Sequence, residues 1–158
     1  MKVIVGSSDL PLSLDIVGMV AAAFAASDPL DAFGIRIPHG SSDPASPVER
    51  LVEAVASRLD RQIIRFSPTK GGRSAVFFRD YDLVTGADEV LAFFSTEREM
   101  EGGTGHVVKA ALDRGVKVNA YACRPDGTLV FLGSDDGELI PIAPNEVLAD
   151  MYAKASAG

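Results

Sequence analysis

Short apolar runs and longer segments of helical period alternate along most of this chain. Lys2–Val5, 32–37, Gln62–Phe66, Glu89–Phe94 and Lys117–Cys123 are brief and apolar-rich, which predicts five strands. Leu14–Ala26 is a continuous Ala-rich apolar segment and predicts the first helix, with Ser8, Asp9 or Ser13 as its cap. Pro11 places the start of that helix close by. Val48, Leu51, Val52, Val55 and Leu59 share one helical face, so a helix is expected over Pro47–Leu59. Ser46-Pro47-Val48-Glu49 at its start reads as a capping box, with Ser46 as cap and Glu49 at the third position. In Ser74–Thr85 the stripe Phe77, Tyr81, Val84 predicts a helix with those rings toward the core and with Arg79, Asp80 and Asp82 on a solvated face. Val107–Leu112 repeats at i, i+4 and stops at Gly115.

The order is βαβαβαβαβ, followed by antiparallel additions. Arg124-Pro125-Asp126-Gly127 turns the chain back into Thr128–Leu132 as a hairpin strand, Leu139–Ile142 suits an edge strand through Pro141, and Pro144–Met151 predicts a last helix. The expected fold is α/β: a Rossmann-like, doubly wound, mostly parallel sheet of about five strands with a C-terminal antiparallel hairpin extension and a final helix. One domain over residues 1–158 is expected, with the βα core in 1–122 and the hairpin and helix in 123–158.

Polar loops follow the first four strands, and in such a sheet all four fall at its carboxyl edge, where ligands bind. They are Gly6-Ser7-Ser8-Asp9, His39-Gly40-Ser41-Ser42-Asp43, Ser67–Arg73 and Glu101-Gly102-Gly103-Thr104-Gly105-His106. The last leads from a strand into a helix, where free N–H groups and the helix dipole favour an anion such as a phosphate. Thr104 would either cap that helix or bond a phosphate oxygen. Taken alone, the loop reads equally as a tight βα turn.

Composition narrows the chemistry. A net charge of −7 argues against non-specific coating of nucleic acid, yet leaves room for a small anionic ligand held locally. No apolar run approaches the roughly 20 residues of a membrane helix, so no membrane association is expected. The single cysteine, Cys123, forms no internal disulfide and fits a cytoplasmic setting. It reads as a small buried residue rather than a nucleophile. His39 and His106 make no metal motif with it, so neither metal nor cofactor is expected.

The chain also resembles the SLOG superfamily of Rossmann-like nucleotide-binding domains, which includes the Lonely Guy phosphoribohydrolases and the DNA-processing protein A domain. The resemblance spans roughly residues 1–122. It is carried by Gly6-Ser7 after the first strand and by His39–Asp43 after the second. It continues through Arg79-Asp80, Leu83-Val84, Ala87-Asp88 and Val90–Phe93, and ends in Gly103-Thr104 with Ala110-Ala111 and Gly115–Val118. It implies a nucleotide or nucleotide-derived phosphate as ligand, with Gly6, Ser7, Gly40, Ser41, Asp43, Arg73, Arg79, Gly102, Gly103, Thr104, Gly105 and His106 as binding residues. The Lonely Guy motif Pro-Gly-Gly-x-Gly-Thr-x-x-Glu is incomplete here, since the proline and the helical glutamate are missing. N-glycoside hydrolysis of nucleoside monophosphates is therefore the alternative, with Glu101 or Asp80 as candidate acids. A third expectation is a homo-oligomeric interaction module that has lost its ligand, associating through Leu129–Leu132 or the last helix.

Overall fold

The computed structural model describes residues 1–38, 46–68, 74–96, 99 and 101–135. The elements are β1 (Lys2–Gly6), α1 (Leu14–Ala26), β2 (Phe33–Arg36), α2 (Pro47–Arg58) and β3 (Ile63–Phe66). They continue with α3 (Ala75–Thr85), β4 (Glu89–Ser95), α4 (Gly102–Asp113), β5 (Lys117–Cys123) and β6 (Leu129–Asp135). They form one six-stranded sheet in the order β3-β2-β1-β4-β5-β6, parallel throughout except for β5 with β6. The α/β, mostly parallel, doubly wound fold expected from the alternation is the one observed. The expected strand at Leu139–Ile142 and helix at Pro144–Met151 lie outside the described residues.

Period-two alternation in the central strands feeds two cores. Ile4, Phe33, Ile35, Leu91 and Phe93 pack with α1 and α2, while Val3, Val5, Val90, Ala92 and Phe94 pack with α3 and α4. Burial on both faces explains why these strands are nearly all apolar. The chain winds from β1 out to β3, then crosses back to β4 on the other side of β1. The switch point therefore lies between β1 and β4, and the loops after these strands diverge there to open the crevice in which such folds take ligands.

Among the three candidates for capping α1, Ser13 is the cap, accepting from the Ile16 N–H at 3.3 Å. The far end of α1 is held by Arg61, whose guanidinium donates to the Phe24 carbonyl at 3.2 Å and the Ser27 hydroxyl at 2.8 Å.

Two local expectations are corrected. The inward face of α3 carries Ala75, Arg79, Asp80, Leu83 and Val84, and Phe77 is half-exposed at 50% rather than packed in the core. Arg79 and Asp80 are buried, not solvated, because they neutralise each other and Arg79 also donates to the Ile37 carbonyl at 2.9 Å. The capping box forms only in part. Ser46 accepts from the Val48 N–H at 3.2 Å, but the Glu49 carboxylate turns into the sheet.

Cys123 is buried, and burial pushes its thiol above the ordinary value of 9.0, outweighing its contact with the Ser13 hydroxyl. Tyr121 is raised above 10.0 by burial and by the nearby Glu89 carboxylate. Both groups are neutral when protonated and both folded values are raised. The stability each contributes is thus full below its unfolded value and is lost as pH rises through the folded one. Native protein should react slowly with a thiol reagent at pH 8, and its thermal midpoint should fall progressively above pH 9. Full-speed thiol labelling without denaturant would contradict this burial.

Candidate functional site

Pairing between β1 and β2 is registered only at Lys2–Phe33 and Val3–Gly34. Towards the carboxyl edge, the Glu49 carboxylate takes over, reaching in from the first turn of α2. It accepts from the Gly6 N–H at 3.3 Å and from the Arg36 N–H at 3.2 Å, one from each strand. The same carboxylate accepts from Arg36 Nε at 3.1 and 3.2 Å to its two oxygens, and from Arg36 Nη2. Arg36 Nη2 donates onward to the Gly6 carbonyl at 3.0 Å and to Thr104 Oγ1 at 3.1 Å. One buried ion pair therefore ties β1, β2, α2 and α4 together directly below the switch point. Its carboxylate also sits at a helix N-terminus, where the dipole favours negative charge.

Gly6 belongs to this tie. Its N–H and carbonyl are both engaged there, and a Cβ on it would lie 2.6 Å from Val48 Cγ2. Its lack of a side chain serves the close approach of α2. Ser7 continues the pairing, donating its N–H to the Phe93 carbonyl at 3.0 Å, and it stands partly exposed at the mouth of the crevice.

Across the crevice, α4 begins at Gly102, which has φ of +69°, a left-handed conformation suited to glycine. Gly105 donates to the Glu101 carbonyl at 3.1 Å and closes the first helical turn. The N–H groups of Gly102, Gly103 and Thr104 have no acceptor among the described residues. Thr104 occupies the third helical position and does not cap; its hydroxyl accepts from Arg36 and keeps its own proton to donate. Arg36 Nη1 lies 3.5 Å from where a Cβ on Gly103 would be, directed at the exposed first turn of α4. Glu101 is exposed, and its side chain makes no capping bond.

A second cluster lies where α3 meets α4. Asp80, with no exposed surface, accepts through Oδ1 from Arg79 Nε at 3.1 Å and Nη2 at 3.0 Å. Its Oδ2 bonds His106 Nδ1 at 2.9 Å. Phe77 and Tyr81 flank the imidazole, with ring centroids 4.5 and 5.7 Å away, and 22% of the His106 side chain stays exposed.

No protein-family model matches this chain, and no curated protein matches it at a significant level.

Of the expected site residues, the fold brings Gly6, Ser7, Gly102, Gly103, Thr104 and Gly105 around the β1/β4 crevice, and Arg79, Asp80 and His106 into the α3–α4 cluster. Gly40, Ser41, Asp43 and Arg73 lie outside the described residues. Asp80 is enclosed by Arg79 and His106, so it has no open oxygen face with which to act directly on a substrate. The sequence reading missed Arg36 and Glu49. A lone charge at a strand end and a glutamate in a capping position each have an ordinary explanation, and only the fold pairs them. Among the described residues there is no cluster of three or more potential metal ligands and no helix long and apolar enough to cross a membrane.

Proposed function

We propose that this protein binds a nucleotide or nucleotide-derived phosphate in the β1/β4 crevice, as a domain of SLOG type. The observation that carries the reading is the first turn of α4. Its unpaired N–H groups at the exposed Gly102 and Gly103 face the switch point, with the buried Thr104 hydroxyl beneath them and Arg36 Nη1 fixed beside them by a buried ion pair. Backbone donors, a helix dipole and a guanidinium held in place form a site for a small dianion that does not depend on the overall charge of −7. Calorimetry against inorganic phosphate, nucleoside mono- and triphosphates, cyclic nucleotides and ADP-ribose is the direct test. Absence of binding at millimolar concentration across that panel would sink the reading.

Thr104→Ala should weaken such binding roughly tenfold, as expected for one hydrogen bond to a charged group. Gly103→Ala is the companion variant. The added Cβ makes only ordinary contact with Arg36 Nη1, so the fold should keep its thermal midpoint while the methyl stands in the path of the phosphate. Unchanged affinity in both variants would place the phosphate elsewhere.

Turnover is the second reading, favoured by Glu101, an exposed carboxylate at the helix start with no capping duty. N-glycoside hydrolysis would release free base from nucleoside monophosphates and would be abolished by Glu101→Gln. Binding without base release would leave the protein a binder.

A further inference from the structure

The α3–α4 cluster has more built into it than packing requires. A carboxylate with no exposed surface is clamped by two donors of Arg79 on one oxygen, and it offers the other to the Nδ1 of a partly exposed histidine. Arg79 is itself anchored on the Ile37 carbonyl, just past the end of β2. A carboxylate accepting at Nδ1 holds the ring proton there, so in the neutral imidazole Nε2 becomes a fixed acceptor. Nε2 has no partner among the described residues. Phe77 and Tyr81 pack against the ring and restrict its orientation. The result is an acceptor of fixed direction at the same sheet edge as the phosphate loop.

We infer that His106 reads a hydroxyl of the ligand, with Asp80 as its positioning residue, so that the ligand is a ribose phosphate rather than a deoxyribose one. The inference rests on the phosphate-binding reading above and adds the sugar to it. Gly102 and His106 are four residues apart, about 6 Å along a helix axis. Helical side chains lean toward the N-terminus, which brings the imidazole toward the free N–H groups. That span suits the pentose of a 5′-phosphate held at the first turn, and it is too short for the base. In its neutral form the imidazole presents an Nε2 acceptor to a hydroxyl donor, while the backbone N–H groups face the phosphate, so the two clusters divide the ligand between them.

The test is calorimetry of the whole chain with inorganic phosphate, AMP, 2′-deoxy-AMP and 3′-deoxy-AMP. AMP should bind more tightly than phosphate, and at least one deoxy form should bind about three- to tenfold more weakly than AMP. His106→Ala should bring AMP and that deoxy form to equal affinity, with inorganic phosphate unaffected. Asp80→Asn should reduce the discrimination while the imidazole remains. If that variant fails to fold because Arg79 loses its counter-charge, His106→Ala still decides, since the ring it removes is partly exposed. Equal binding of AMP and both deoxy forms, discrimination that survives His106→Ala, or AMP no tighter than phosphate would overturn the hydroxyl assignment and leave phosphate binding intact. No binding of any of the four would remove both.

Discussion

Glu49→Ala should cost the fold about 3–5 kcal/mol, read as a shift in the denaturation midpoint at unchanged slope. Both members of the Arg36–Glu49 pair are nearly enclosed, each with 8% of its side chain exposed. Deleting the carboxylate leaves a guanidinium in the interior without its counter-charge. It also strips the Gly6 and Arg36 N–H groups of their acceptor where registered β1–β2 pairing has ended. The backbone loss separates this pair from an ordinary buried salt bridge. Replacing a buried ion pair by apolar residues of similar size is often neutral or stabilising. Here the double variant Arg36→Met/Glu49→Leu should recover only part of the loss, because two backbone donors stay unsatisfied. Full recovery in the double variant would show that the carboxylate serves the guanidinium alone. Arg36→Met by itself should also weaken the proposed phosphate binding, since Thr104 loses its donor and the first turn of α4 loses the adjacent guanidinium.

The fold was legible because its signals are local. Alternating apolar runs and helical stripes, punctuated by Gly and Pro, place β1 to β5 and α1 to α3 within a residue or two, whereas α4 starts at Gly102, five residues before the Val107–Leu112 repeat, and the Pro125–Gly127 turn places β6. The site was legible only where it too is local, as in the glycine turn at the start of α4. Its remaining parts come from tertiary pairing. Glu49 looked like a capping residue because its spacing from Ser46 is right for one, yet the better partners were two strand N–H groups and a guanidinium that the sequence places 13 residues earlier. On α3, periodicity put Phe77 and Tyr81 inward because it weighs hydrophobicity alone. Tyr81 does pack, partly buried, against the core, but a neutralised Arg79–Asp80 pair with a backbone anchor takes much of the buried face, and Phe77 is left half-exposed against His106 at the α3–α4 seam. Charge compensation overrode a capping pattern at Glu49 and a hydrophobic pattern on α3, and tertiary anchors such as Arg36–Glu49 and Arg79–Ile37 have no sequence period.

Gly6→Ala separates the two uses a glycine can have at the end of β1. A glycine kept for ligand approach would tolerate a methyl in the unliganded fold and lose affinity. The geometry assigns the other use, since the new Cβ would stand 2.6 and 2.7 Å from Val48 Cγ2 and Cβ and 3.2 Å from Ser46 Oγ. Val48 is β-branched, buried and in the first turn of α2, so it has no free rotamer into which to retreat. The strand or the helix must move, and overpacking of this kind costs about 1–3 kcal/mol. Movement of α2 also draws Glu49 away from Gly6 and Arg36, so the loss should fall at the upper end of that range. Val48→Ala removes the Cγ2 methyl but keeps the Cβ 2.7 Å away, so it should rescue Gly6→Ala only in part, with a coupling of about 0.5–3 kcal/mol in a double-mutant cycle. Simple additivity of the two changes, or a Gly6→Ala protein of unaltered stability that no longer binds phosphate, would return Gly6 to the ligand.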